Sequence, residues 1–416
     1  MSIALFRSYI TKIRLLLYSV TSSFFDFIPM LLRVPVRNIS LQTSGEKIIL
    51  FVGGTTSPRI SRMAKWLVKN PEYKTIFLCH TKGYIEEFSN SCWNKVILYR
   101  NKPHLIRIIR QLKNIYIIHG FAVKSYYPDI VRKHHKAKFI MDFQDVFACY
   151  YSLPPTLRWL KQELPHEKNC LEKSDGIVAH SLEPWIVYRK YGIRPHPDNI
   201  FFPLYCDDDC IVDTEKKLNP DDIHIVYAGG ISGSHRSRER HGVTQFHKVI
   251  EKLSEQKIHF HIYPSPATHV TDSDDYKLIS QNNPYFHIHQ AVSLDNLPAE
   301  LAKYDFGIIP FFLSDSGHSK EKYKYATSLK LFNFIEAGIP VFVADDIYYQ
   351  SWMLKRHHAG IGIHEEDVAN LKKIILSLNY EQMVVNLKKS RANLLLSQQI
   401  VRLTDFYTRI LKKGTE

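Results

Sequence analysis

From residue 47 the chain alternates short, continuously apolar runs with stretches whose apolar positions recur every three or four residues. Residues 47–52 (KIILFV), 74–80 (KTIFLCH), 95–99 (KVILY), 115–118, 138–142 (KFIMD), 175–179 (DGIVA) and 199–202 have the length and composition of buried strands. Residues 58–69 and 104–112 read as helices. Strands that are apolar on both faces and separated by helices predict a parallel sheet covered on both sides, with right-handed crossovers.

Residues 203–221 (PLYCDDDCIVDTEKKLNPD) interrupt this rhythm with acidic and polar positions and end at Asn-Pro, which predicts a linker at 204–221. The alternation then restarts. Strands are expected at 223–228, 257–263, 285–289, 305–310 and 340–344, and helices at 242–253, 297–303, 329–337, 366–378 and 380–412. The organisation is therefore a first unit at 46–203, a second at 222–395 and a C-terminal helix at 396–416. Each unit opens with a strand that ends in two glycines, Gly53-Gly54 and Gly229-Gly230. Open α/β sheets bind ligands beyond the carboxyl ends of their strands, and two such units face to face enclose a cleft. The predicted fold class is α/β, two Rossmann-like domains facing across a cleft.

The first 45 residues behave differently. The run from Leu15 to Leu32 is apolar but carries Asp26 and Pro29, and Arg7, Lys12, Arg14, Arg33 and Arg37 flank it. A helix lying in a membrane face, a helix packed on its own domain and a membrane span all fit this segment. The interruption and the basic flanks favour the first. No small-residue cleavage site marks a signal peptide.

Composition agrees with two folded domains: 416 residues exceed one ordinary core, and 45% hydrophobic content with 12% aromatics argues against disorder. The formal charge of +14 calls for an anionic partner. With no zinc-finger spacing, RNP-like aromatics or long Lys/Arg run, nucleic acid is not expected. A phosphorylated substrate and an acidic membrane face remain. The six cysteines are scattered and form no C-x-x-C pair, as in a reducing compartment. The 21 histidines show no H-E-x-x-H or similar spacing. The Asp207-Asp208-Asp209 run, in the linker, reads as solvated charge. No metal and no cofactor are expected.

Four stretches together resemble glycosyltransferases of the GT-B fold, of the large family-4 (group 1) type. They are residues 170–184 (CLEKSDGIVAHSLEP) with Tyr191-Gly192, residues 225–230 (IVYAGG), residues 297–310 (LPAELAKYDFGIIP) and residues 328–343 (SLKLFNFIEAGIPVFV). The resemblance spans roughly residues 47–412 and implies a sugar nucleotide bound on the second domain and an acceptor on the first. The last stretch also has its own physical logic. Ser328 is an N-cap candidate, the free N–H groups at that helix start suit an anion, and Lys330 in the first turn adds a point charge for a diphosphate. The resemblance makes Gly229, Gly230, Arg236 and Arg240 donor-binding positions as well. It places the family's usual E-x7-E pair at Tyr325 and Asn333, where neither residue is acidic. Asn333 can still hydrogen-bond a ribose, through a neutral amide. The resemblance also makes Gly53, Gly54 and Ser57 part of the loop reaching toward donor and acceptor. His119, Asp142 and Asp145, at strand ends facing the same cleft, are candidate general bases; structural roles for all three stay open.

The expected function is transfer of a hexosyl unit from a nucleotide-sugar donor to a saccharide or lipid-linked acceptor in polysaccharide or glycan biosynthesis. The expected location is cytoplasmic, peripheral at the inner membrane face. A non-catalytic GT-B-fold binding protein and a nucleotide-sugar hydrolase or epimerase are the alternatives.

Overall fold

The first apolar run forms strand β1 (Lys47–Gly53), buried from Ile48 onward. Its continuous hydrophobicity suits the centre of a sheet, and that is its position in this computed structural model, which describes residues 26–32, 36, 45–85, 92–122, 124–151, 153–213, 215–315 and 320–413. β2 (Tyr73–His80), β3 (Lys95–Tyr99), β4 (Ile115–Ala122), β5 (Phe139–Phe143), β6 (Gly176–Ala179) and β7 (Asn199–Phe201) complete a parallel sheet in the order β3-β2-β1-β4-β5-β6-β7. β8 (His224–Gly229), β9 (His259–Pro264), β10 (Phe286–Ile288), β11 (Phe306–Ile309), β12 (Val341–Ala344) and β13 (Gly360–Ile363) form the second, in the order β10-β9-β8-β11-β12-β13 and also parallel. In each sheet the first strand is central and the strand order reverses beside it. That places the switch points at Gly53 and Gly229.

The helices depart from the sequence expectation in instructive ways. Arg158–Lys173, Glu183–Tyr191, Val270–Asn282 and Tyr348–His357 are helical. Arg158–Lys173 carries Pro165 inside it, and Val270–Asn282 buries only Asp272 and Tyr276, so neither shows a continuous apolar stripe. The helix expected at 242–253 starts only at His247, after a short Arg238–His241 helix and a 3₁₀ turn. The run expected as one helix at 380–412 is two, Tyr380–Arg391 and Leu396–Lys412, separated by a 3₁₀ turn at Ala392–Leu394.

That break has a consequence. Leu396, Leu403, Phe406, Tyr407 and Ile410 pack with Ile49, Phe51, Ile117 and Val178 of the first sheet. The final helix thus closes the first domain, and the chain passes between domains twice. The two passages touch: Cys206 bridges to Leu395, with Cys206 N–H donating to Leu394 O and Leu396 N–H to Cys206 O, both at 2.9 Å. The acidic linker is correspondingly less solvated than its composition suggests. Asp207 is 2% exposed and pairs with Lys65 at 2.9 Å, and Asp208 accepts hydrogen bonds from Ser397. Only Asp209 keeps the exposed character expected of the whole run.

The segment expected to contact a membrane lies mostly outside the described residues. Residues 26–31 form a helix. Asp26 is buried and pairs with Arg100 at 2.6 Å and Arg107 at 3.1 Å, while Phe27, Ile28, Leu31 and Leu32 are exposed. No helix among the described residues is long and apolar enough to cross a membrane. All six cysteines are free and buried.

Candidate active site

The helix Leu329–Ala337 begins where the sequence places it. Ser328 is extended and its hydroxyl accepts a hydrogen bond from the Lys330 backbone N–H at 3.3 Å. At the other end Gly338 adopts the left-handed conformation, φ 75°, that ends a helix without a Cβ penalty. Leu329, Lys330 and Asn333 from this helix wall a cleft of ≈ 250 Å³. Ala228, Gly229 and Gly230 at the end of β8 form its floor, and Tyr263 to Pro266 at the end of β9 continue it. Val292, Leu294 and Leu297 give an apolar side, and Pro58 reaches in from the first domain.

Lys330 dominates the electrostatics of this cleft. Its side chain lies across Gly229, where a Cβ would fall 2.2 Å from Lys330 Cε and where φ is +148°. The Tyr227 hydroxyl donates to Gly230 O at 2.8 Å and steadies that turn. Lys330 Nζ sits 5.1 Å from the Phe311 ring centroid and 6.0 Å from that of Tyr227. Among the described residues no carboxylate accompanies it, and burial alone pulls its pKa down to about 8. A desolvated amine without a counter-ion is an unfavourable arrangement that an incoming anion relieves. Asn333, 3% exposed, carries a second unmet demand: among the described residues no donor reaches its Oδ1.

The other expected site residues are distributed unevenly around this centre. Ser57 accepts a hydrogen bond from Gln144 Nε2 and precedes Pro58. Gly53 and Gly54 pack against Phe121 and Tyr127. Arg236 is held by Asp272 through two contacts of 3.0 and 2.9 Å, and Asp272 also accepts the Gly233 N–H. The backbone of Arg240 lies in the short helix Arg238–His241; its side chain lies outside the described residues.

His119 and Asp142 are fully buried. His119 Nδ1 bonds the Tyr407 hydroxyl at 2.7 Å, and its ring stacks on Phe51. Its Nε2 is 3.4 Å from Asp142 Oδ2, and Asp142 is bound by Arg59 Nε at 3.1 Å. Arg59 in turn donates to the carbonyls of Phe202 and Pro203. Burial drives the His119 pKa down, and Arg59 helps to keep Asp142 ionised against its own burial. Neither residue presents an atom to the cleft. Together they tie the first sheet, the interdomain passage and the last helix.

The same two-domain architecture occurs in solved structures of other proteins. Superposition on the sucrose-phosphate synthase of Thermosynechococcus elongatus gives a TM-score of 0.62 at 9% identity, covering 88% of this chain and 100% of that one. The Anabaena HepE protein in complex with UDP gives 0.60 at 10% identity, covering 88% and 99%. The fold is GT-B. The N-terminal domain of Candida albicans trehalose-6-phosphate phosphatase superposes similarly, with a TM-score of 0.58 at 11% identity over 89% of this chain and 98% of that one. Residues 244–404, which run from the second domain into the final helix, match the family described as "Glucosyltransferase 3-like, C-terminal domain". A comparison with curated protein sequences finds no match.

The two positions at which the sequence resemblance expects a glutamate pair are occupied as follows. Tyr325 packs near Tyr348. Asn333 faces the cleft as a neutral amide. Glu336, one turn further, points away from the cleft and joins the domains: it accepts from Arg62 at 2.6 Å and from the Asp207 N–H at 2.7 Å, with no exposure. Asp145 is a second interdomain tie, 2.5 Å from Lys322 on the helix Lys320–Tyr325. Beside it Glu183 accepts the Val146 N–H, and burial raises its pKa. Sequence reasoning did not single out Tyr263, Ser265, Leu294, Leu297 or Lys322. The first two lie at the carboxyl end of β9, Tyr263 within it and Ser265 just beyond, and the rule that ligands bind at carboxyl ends of strands is the signal that reaches them.

Proposed function

We propose that this protein is a glycosyltransferase that binds a nucleoside-diphosphate sugar against its second domain and transfers the sugar to an acceptor held by the first. The observation that carries this reading is Lys330: a desolvated amine without a carboxylate partner, in the first turn of a Ser328-capped helix, laid over the Gly229-Gly230 turn. Charge builds on the diphosphate as the glycosidic bond breaks, and a preorganised ammonium with helix N–H groups stabilises it. Asn333 and the apolar side of the cleft supply contacts for ribose and base. The likeness to a UDP-bound structure and to glucosyltransferase 3-like domains supports the donor class. A metal is not required for the leaving group in this scheme, because Lys330 carries the positive charge.

We further assign hexosyl transfer to a lipid-linked or surface polysaccharide acceptor at the inner membrane face. The exposed Phe27, Ile28, Leu31 and Leu32 support that placement. The test is incubation with UDP-, GDP- and ADP-sugars, with and without membrane extract, monitoring free nucleoside diphosphate. Acceptor-dependent release from one donor class is expected. No binding and no release with any donor refutes the assignment, and acceptor-independent release with loss of sugar configuration assigns the cleft to hydrolysis or epimerisation. Deleting residues 1–36 should move the protein off anionic vesicles; unchanged vesicle binding rejects the membrane placement.

A further inference from the structure

At the opposite end of the second sheet from the donor cleft, four histidines share one face. β8 and β9 pair His224 with His259, and β9 and β10 pair His261 with His287. Alternate positions of a strand share a face, so the H-x-H sequence at 259–261 places both rings beside those neighbours. The rings of His224 and His259 stack at 4.6 Å with 13° between planes.

Asp222, just before β8, closes this array. Its Oδ1 lies 3.0 Å from His224 Nε2 and 3.5 Å from His259 Nε2, and the three donor atoms lie within 4.8 Å of one another. The far nitrogens of both rings are engaged: His224 Nδ1 is 2.9 Å from His261 Nε2, and His259 Nδ1 is 2.9 Å from His287 Nε2. When each ring carries its proton on Nδ1, both inter-histidine bonds are made and both Nε2 lone pairs are left beside the Asp222 carboxylate. Two lone pairs facing an anion repel unless a cation lies between them.

We propose that Asp222 Oδ1, His224 Nε2 and His259 Nε2 form a binding site for a first-row divalent metal ion of the zinc class. Two imidazoles and one carboxylate match the borderline ligand set of such ions. Ligand distances of about 2.0–2.2 Å put tetrahedral donor atoms about 3.4 Å apart, close to the spacings observed. His261 and His287 act as the outer partners that fix ring orientation and tautomer. Asp222 is exposed and His224 and His259 are partly exposed, so an ion has access and water completes the coordination. The site joins the amino ends of β8 and β9, whereas Gly229 and Pro264 at their carboxyl ends line the donor cleft. It is therefore a clasp on the donor domain and not part of sugar transfer.

The test is titration of the full chain, stripped with chelator, with Zn2+ against a chromophoric competitor, and with Co2+ as a spectroscopic probe. One equivalent per chain is expected, with the intense visible absorption of low-coordinate Co2+ and a Tm that rises with Zn2+. His224→Ala and His259→Ala should each weaken binding more than tenfold. His287→Ala should weaken it about 10- to 100-fold, as loss of an orienting partner does. Asp222→Asn alters an exposed side chain and keeps the comparison valid should a histidine variant misfold. His269→Ala, at an exposed histidine elsewhere, should bind as the parent does. Absence of one-equivalent binding at micromolar Zn2+ overturns the proposal, as does equal affinity in the parent and Asp222→Asn together with the folded histidine variants.

Discussion

Replacing Lys330 by methionine should make this protein more stable and less able to bind its nucleotide. The substitution keeps a long unbranched side chain across Gly229 and removes the charge. In the folded protein burial lowers the Lys330 pKa from 10.5 to about 8. At about 1.4 kcal/mol per pH unit this amounts to at most about 3 kcal/mol disfavouring the folded state at pH 7. Partial exposure of the side chain makes that an upper bound, so a gain of about 1–3 kcal/mol is expected from Lys330→Met. The sign follows from proton counts. Between pH 8 and 10.5 the unfolded chain holds the Lys330 proton and the folded protein does not, so parent stability rises with pH and the advantage of the variant closes. Urea unfolding at pH 7 and pH 10 measures both effects. Isothermal titration with UDP measures the other half: loss of the ammonium should weaken binding or transfer by about 10²–10³, the scale of losing one preorganised electrostatic contact. Parent affinity should fall by up to about tenfold per pH unit above pH 8, because binding the diphosphate then requires uptake of a proton. UDP affinity and turnover in Lys330→Met within twofold of the parent, or a variant destabilised at pH 7, would refute the reasoning.

Three other perturbations probe separate features. Gly229→Ala adds a Cβ 2.2 Å from Lys330 Cε at φ +148°, so nucleotide binding should fall at least tenfold while far-UV circular dichroism is retained; unchanged affinity removes the turn from the site. Glu336→Gln leaves Arg62 buried without its carboxylate and should cost about 3–5 kcal/mol in urea unfolding, whereas the double change with Arg62→Met should recover much of that loss; additive losses argue against the pair. His261 is held neutral by burial and by the neighbouring His287, His224, His289 and His259, with its pKa pushed down to about 2. The unfolded chain takes up this proton near pH 6.5, so stability should fall by up to about 1.4 kcal/mol per pH unit below that. His261→Gln should flatten the slope between pH 6.5 and 5, and an unaltered slope assigns the acid sensitivity elsewhere.

What the sequence determined by itself is local and periodic. Runs such as KIILFV and IHIVYA name central strands because only a parallel sheet buries both faces of a strand. Ser328, Gly338 and Pro340 bracket a helix because capping uses neighbouring atoms. The same local signals brought Lys330 to the cleft beside Gly229. The tertiary structure decided the pairings between distant residues. Asp272 sits 36 positions from Arg236 and occupies it. Glu336 turns to Arg62, 274 positions away, and so joins domains. The sequence puts His119 and Asp142 at strand ends facing the cleft, yet His119 lies inside β4 and the final helix, with Tyr407, covers this pair. Sheet register brought His224 beside His259, 35 positions further along the chain, a spacing that matches no local metal pattern. Capping and periodicity act within a few residues and can be read in one dimension. Burial, counter-ions and metal-ligand sets depend on which surfaces meet, and in this chain they meet across two sheets and two interdomain passages.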